Sequence, residues 1–93
     1  MKIGFIGCGS MGGAILNGCL QKGFFKPEQV TVCEKDADRL SYIINTYGVK
    51  GVKNPQEAAE CSDAVLLGVK PQALPALLTE IGAYTAQKRI LFI

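Results

Sequence analysis

Residues 2–12 read KIGFIGCGSMG, a short apolar run that leads directly into three glycines, Gly7, Gly9 and Gly12. The glycines have the spacing G-x-G-x-x-G, and an apolar pattern typical of a helix begins at Met11. In this fingerprint the first glycine allows a tight turn, the second lets the backbone approach a pyrophosphate, and the third permits close packing of helix on strand. The N-terminal N–H groups of the helix would attract the phosphates. The stretch therefore predicts a dinucleotide site between a strand and a helix.

The rest of the chain alternates short apolar segments with longer amphipathic ones, the pattern of repeating strand–helix units. Apolar runs predict strands over residues 2–6, 30–33, 49–52, 64–69 and 90–93. Helical periodicity predicts helices over residues 10–22, 37–47, 55–61 and 71–81. We expect a doubly wound, Rossmann-like α/β fold whose parallel sheet has the strand order 3-2-1-4-5.

Three glycines and two polar residues mark the expected helix ends. Gly23, Gly48 and Gly82 follow the first, second and fourth helical patterns, where glycine commonly forms a C-terminal cap. Asp36 and Asn54 precede the second and third helices, where their side chains can accept hydrogen bonds from backbone N–H groups.

Composition excludes several classes of function. The 93 residues are 48% hydrophobic and 19% charged, with a net charge of +2, as expected for one globular domain. Basic residues are scattered rather than arranged in a nucleic-acid-binding stripe, and no apolar run approaches the length of a membrane span. The chain has no histidine and its four cysteines form no C-x-x-C pair, which argues against a metal site. We therefore expect a cytoplasmic protein with free thiols and neither a nucleic-acid nor a membrane partner.

Glu34 follows the second predicted strand, where dinucleotide folds commonly carry an acidic residue. Its carboxylate would accept hydrogen bonds from the adenosine ribose hydroxyls and repel a 2′-phosphate, which favours NADH. Lys35 and Arg39 could reach a 2′-phosphate if Glu34 turned outward; the alternative is that both are solvated charges at the start of a helix. The choice between NADH and NADPH stays open.

Gly68, Val69, Lys70 and Pro71 follow the fourth predicted strand. In open α/β sheets ligands bind outside the carboxyl ends of the strands at the switch point, here between strands one and four. We expect this second loop to face the fingerprint loop across the cofactor crevice, with Lys70 near the phosphates or the nicotinamide.

Cys8 lies between the first two glycines and has two interpretations. It is a small side chain tolerated in a tight turn, or its thiol, near a helix N-terminus, is activated and blocks the cofactor when alkylated.

No residue of this chain is predicted to be catalytic. Histidine and a G-x-S-x-G motif are both missing from the sequence, and we therefore expect no acid–base or hydrolytic machinery. The sequence stops at Ile93, within its fifth apolar run. We interpret residues 1–93 as a cofactor-binding domain cut inside its fifth strand, whose apolar edge would promote self-association.

Residues 3–15, IGFIGCGSMGGAI, together with residues 63–72, DAVLLGVKPQ, resemble the pyrroline-5-carboxylate reductases. The resemblance implies reduction of the cyclic imine 1-pyrroline-5-carboxylate to L-proline, the last step of proline biosynthesis, by hydride from NADPH or NADH. It also implies a following helical domain that holds the imine site and the contacts of a homo-oligomer, so this chain alone would bind cofactor without turnover.

Carried over by position, the resemblance assigns cofactor contacts along the whole carboxyl edge of the sheet. Residues 6–11 would wrap the pyrophosphate, Glu34 would lie at the ribose, Asn54 would touch the adenosine end, and residues 69–71 would line the crevice. Together, the motifs and the resemblance predict these cofactor-binding residues: Ile6, Gly7, Cys8, Gly9, Ser10, Met11, Gly12, Glu34, Lys35, Asn54, Gly68, Val69, Lys70 and Pro71.

Two alternatives remain open. One is another nicotinamide-dependent enzyme with a similar N-terminal fold, such as a hydroxyacid or prephenate dehydrogenase. The other is a non-catalytic module that senses dinucleotides through partner contacts.

Overall fold

The computed structural model of the chain describes residues 2–8, 10–85 and 89–92. Its strands are β1 (Ile3–Ile6), β2 (Val30–Cys33), β3 (Lys50–Val52), β4 (Ala64–Leu67) and β5 (Arg89–Phe92). Its helices are α1 (Ser10–Gln21), α2 (Ala37–Tyr47), α3 (Pro55–Glu60) and α4 (Leu74–Thr85), with 3₁₀ turns at Pro27–Gln29 and Pro71–Ala73. None of the helices within these ranges combines the length and the hydrophobicity that crossing a membrane requires.

The five strands form one parallel sheet in the order β3-β2-β1-β4-β5, which confirms the predicted α/β topology. In the central register Ile3 pairs with Val30 on one side and with Ala64 on the other. All four residues of β1, β2 and β4 are buried, as expected for strands covered on both faces.

The core has two parts. One packs strand residues such as Phe5 and Val32 against Leu16 of α1 and Ile43 of α2. The other packs strand residues against Ala58 and Ala59 of α3 and Leu77 and Ile81 of α4. The sheet therefore carries helices on both faces, and its carboxyl edge stays open between them.

The predicted caps are present at the helix ends, except at the C-terminal end of α4. Gly23 and Gly48 have φ angles of 75° and 72°, the left-handed region that favours glycine. The Asp36 side chain accepts hydrogen bonds from the N–H groups of Asp38 and Arg39. Gly82 was predicted to end α4, and this is wrong, because α4 continues to Thr85. Gly82 lacks the positive φ of the two capping glycines.

The boundaries around the second loop also differ from the prediction. β4 ends at Leu67 rather than at residue 69, and the Gly68 N–H donates to the Ile6 carbonyl at 2.8 Å as the chain leaves the sheet. Pro71 opens a 3₁₀ turn, and α4 itself begins at Leu74. β5 begins one residue before the predicted Ile90. Ile93 lies outside the described residues, and self-association through this edge stays a prediction.

Candidate functional site

The fingerprint loop and the second loop meet at the carboxyl edge of the sheet. Gly7 has a φ of 80°, and its N–H donates to the Cys33 carbonyl at 2.9 Å. A Cβ added to Gly7 would lie 2.6 Å from the Gly68 carbonyl oxygen and 3.0 Å from Val69. The approach is possible because residue 7 is glycine, as the fingerprint predicts. The expectation that the two loops face each other is confirmed.

Glu34 turns its carboxylate towards the fingerprint loop. One oxygen accepts a hydrogen bond from the Cys8 N–H at 2.9 Å, and the other accepts from the Asp36 N–H at 3.1 Å. The carboxylate is thereby held at the end of β2, beside the loop that would carry the pyrophosphate. Each carboxylate oxygen has a second lone pair, so both can still accept from a ribose hydroxyl.

A cavity of about 590 Å³ opens at this edge, on the side of the sheet covered by α3 and α4. It is large enough for the adenosine half of a dinucleotide. Its lining consists of Ile6, Gly7, Cys33, Glu34, Lys35, Lys53, Pro55, Gly68, Val69, Lys70, Gln72, Ala73, Ala76, Leu77 and Glu80.

The structure thus brings many of the predicted cofactor residues together around one cavity. The predicted residues in its lining are Ile6, Gly7, Glu34, Lys35, Gly68, Val69 and Lys70. Gly12 and Pro71 are described but do not line it, since Gly12 is buried within α1 and Pro71 begins the 3₁₀ turn beyond the loop. Gly9, and the side chains of Ser10 and Met11, lie outside what the structure describes.

Asn54 is placed differently from its predicted role at the adenosine. Its side-chain oxygen accepts from the Glu57 N–H at 2.9 Å, and its amide nitrogen donates to the Glu57 carboxylate at 3.0 Å. This pair caps α3, as the sequence predicts. The neighbours Lys53 and Pro55 line the cavity, whereas Asn54 does not. A cofactor contact by Asn54 stays a prediction.

Cys8 has a structural environment rather than a reactive one. Its side chain has 0% exposure and packs in the core beside α1. Burial raises the pKa of the Cys8 thiol, Arg39 nearby opposes that rise, and Glu34 adds to it. The hypothesis of an activated thiol at residue 8 is therefore wrong, because a nucleophilic cysteine needs exposure and a lowered pKa.

Sequence reasoning missed several residues of the cavity. Lys53 follows β3 as Glu34 follows β2, so the rule that parallel strands end at one edge could have found it. Cys33 lines the cavity from the end of β2 and is buried. Burial raises the pKa of its thiol, and Glu34, Glu80 and Glu57 raise it further, while Lys35 lowers it. No local signal marks the contributions of α4, because they depend on how that helix packs.

Metal chemistry has no visible site in the described ranges. All four cysteines are free. No cluster of three or more cysteine, aspartate or glutamate side chains with ligand geometry occurs within residues 2–8, 10–85 and 89–92.

Comparison with known proteins identifies relatives of this chain. The family described as NADP oxidoreductase, coenzyme F420-dependent, matches residues 2–92. The pyrroline-5-carboxylate reductase of Escherichia coli K12 is 38% identical over 80 residues, which cover 86% of this chain and 30% of that protein. This confirms the resemblance seen in residues 3–15 and 63–72.

Solved structures agree with these sequence matches. The pyrroline-5-carboxylate reductase of Coxiella burnetii has a TM-score of 0.83 at 27% identity, over 99% of this chain and 35% of that one. The Plasmodium falciparum pyrroline carboxylate reductase, solved with NADP bound, has a TM-score of 0.85 at 24% identity, over 100% and 33%. The chain spans about a third of the length of these relatives.

Proposed function

The chain belongs to the family of NADP oxidoreductases described as coenzyme F420-dependent, and from that premise we propose that it is the dinucleotide-binding domain of a pyrroline-5-carboxylate reductase. Residues 1–93 form the cofactor-binding part. The imine site and the homo-oligomer contacts belong to a further helical domain. The coverage of the relatives is consistent with this, because the chain spans about a third of their length. Free thiols suit a cytoplasmic location.

The observation that carries the proposal is the contact of the two loops at the switch point of the sheet. β1 and β4 are neighbours whose following helices lie on opposite faces, and Gly7 approaches the Gly68 carbonyl where they end. A crevice at this place is where open α/β sheets bind their ligands. The cavity beside it, with Glu34 and Lys70 in its wall, has room for the adenosine half of NADPH or NADH.

The residues of the chain would bind and orient the dinucleotide. The fingerprint loop takes the pyrophosphate, Glu34 accepts from the ribose hydroxyls, and the cations Lys35, Lys53 and Lys70 offset the phosphate charge. When bound, the cofactor supplies the hydride that reduces the carbon–nitrogen double bond of the cyclic imine. The part played by this chain is therefore position and electrostatics.

Direct titration of the 93-residue chain with NADPH and with NADH tests the cofactor proposal. A cavity-filling variant, Ala76→Leu, adds bulk to an exposed helical residue that lines the cavity and should weaken both affinities about tenfold. Ser41→Leu adds similar bulk to the exposed face of α2, away from the cavity, and should leave both unchanged. Failure of the folded chain to bind either dinucleotide at millimolar concentration would refute the proposal.

A turnover assay tests the assignment of domains. The chain is incubated with 1-pyrroline-5-carboxylate and NADPH, and loss of dinucleotide absorbance is followed. We expect binding without turnover. Steady reduction of the imine by residues 1–93 alone would contradict the proposal that the substrate site lies in a further domain.

A further inference from the structure

Arg39 reaches from α2 to the fingerprint loop. Its Nε donates a hydrogen bond to the Cys8 carbonyl oxygen at 3.1 Å, across 31 positions of sequence. The side chain is half-buried, although it starts in the first turn of a surface helix. Its guanidinium also lies 5.9 Å from the centre of the Tyr42 ring, one turn further along α2. Of the two interpretations of Arg39, the solvated charge at the start of a helix is therefore wrong.

The space that Arg39 occupies exists because residue 13 is glycine. A Cβ built on Gly13 would lie 2.7 Å from Nη2 of Arg39. Gly13 lies outside the G-x-G-x-x-G fingerprint, so the fingerprint does not explain it. Any larger residue at this position of α1 would displace the end of the arginine side chain.

The backbone of Cys8 is consequently held at both of its polar groups. The Glu34 carboxylate accepts from its N–H at 2.9 Å, and the Arg39 guanidinium donates to its carbonyl at 3.1 Å. Both bonds are charge-assisted, which makes them roughly twice as strong as neutral ones. Two charged side chains from beyond β2 thus fix the residue at which the loop turns towards α1.

We propose that Arg39 is a positioning residue for the dinucleotide, acting through the Cys8 carbonyl and depending on the space left by Gly13. The inference rests on the proposed function, because it concerns the loop that would bind the pyrophosphate. A loop held in the binding geometry before the ligand arrives loses less conformational freedom on binding, which raises affinity. Because NADPH and NADH share the pyrophosphate, Arg39 should support both equally.

Three variants and a control test this role by dinucleotide titration and thermal unfolding. Arg39→Gln should weaken NADPH and NADH binding alike, by roughly tenfold, because it removes a charge-assisted bond. Arg39→Lys keeps the charge and should recover part of that loss. Gly13→Ala leaves Arg39 in the chain but displaces its end, and should weaken both dinucleotides by roughly threefold or more.

Gly13→Ala separates positioning from a general effect on the fold. Alanine is a better helix former than glycine, and the group it displaces is the flexible end of a side chain. The variant should therefore unfold at the same or a higher temperature while binding less tightly. Gly18→Ala, in the same helix with nothing within 4 Å of the added Cβ, should raise the unfolding temperature without changing affinity.

The outcomes distinguish this inference from the proposed function. If the unsubstituted chain binds dinucleotide and both Arg39→Gln and Gly13→Ala bind as tightly, the role of Arg39 is overturned while the proposed function stands. Weakening of NADPH alone would also overturn it, since that result indicates direct contact with the 2′-phosphate. If the unsubstituted chain binds neither dinucleotide, the proposed function fails first and the inference fails with it.

Discussion

Replacement of Gly7 by alanine should destabilise the fold through two separate effects. The first is conformational, because the φ of 80° at Gly7 is one that L-residues rarely adopt. The second is steric, because the new Cβ would lie 2.6 Å from the Gly68 carbonyl oxygen. That oxygen belongs to backbone whose N–H is bonded to Ile6, so it cannot move aside without breaking the contact between β1 and the second loop.

The size of the effect follows from these two terms. The left-handed conformation costs an L-residue about 1–2 kcal/mol, and a forced contact in a packed region costs about 1–3 kcal/mol. Together they should lower the free energy of unfolding by roughly 2–5 kcal/mol, a large share of the roughly 5–14 kcal/mol expected for a domain of this length. The melting temperature should fall by about 8 °C or more.

Two other glycines separate the terms. Gly23 has a φ of 75° with nothing within 4 Å of an added Cβ. Gly23→Ala should therefore lower the free energy of unfolding by the conformational term alone, about 1–2 kcal/mol. Gly18→Ala has neither penalty and should raise the free energy of unfolding by about 0.5–1 kcal/mol. Urea unfolding of the three variants measures the differences. Equal losses for Gly7→Ala and Gly23→Ala would show that the two loops do not meet as described.

Two further predictions concern local groups. Asp36→Ala removes the side chain that accepts from two N–H groups at the start of α2, and urea unfolding should show a free energy of unfolding lower by about 1 kcal/mol. Asp38→Ala leaves this cap intact and should lower the free energy of unfolding by less. Equal losses in the two variants would argue against the cap. Burial raises the pKa of the Cys8 and Cys33 thiols above 9.0, so the unfolded chain loses these protons first as pH rises. The free energy of unfolding should therefore fall with pH above about pH 9. Cys8→Ala should reduce the slope of that fall. A slope unchanged in the variant would contradict the assigned burial of Cys8.

The topology could be predicted because it depends on periodic signals that lie within single segments. Continuous apolar runs predict buried parallel strands, and the fingerprint after β1 then favours the dinucleotide-binding order, which places β1 beside β4. In that arrangement, Gly7 and Gly68, which directly follow β1 and β4, must lie at the same edge of the sheet. Local chemistry likewise predicted the caps at Asp36 and Asn54.

The end of α4 could not be predicted in the same way. Glycine after an apolar pattern predicts a helix end, yet Gly82 lies within α4. The cost of one glycine in a helix interior, about 1 kcal/mol, is small, and Gly82 lacks the left-handed φ that a capping glycine adopts. The residue type marks a possible helix end, and only the backbone conformation decides whether the helix stops there.

By itself the sequence determined the class of fold, the order of the strands and the edge at which a dinucleotide would bind, since the apolar runs, the helical periodicity and the glycine fingerprint together indicate one fold. Only the tertiary structure decided how the fingerprint loop is held. The bonds from Glu34 and Arg39 to Cys8 and the space at Gly13 join segments more than 20 residues apart. They depend on the distance and rotation at which α2 packs beside α1, and no local pattern in the sequence encodes these.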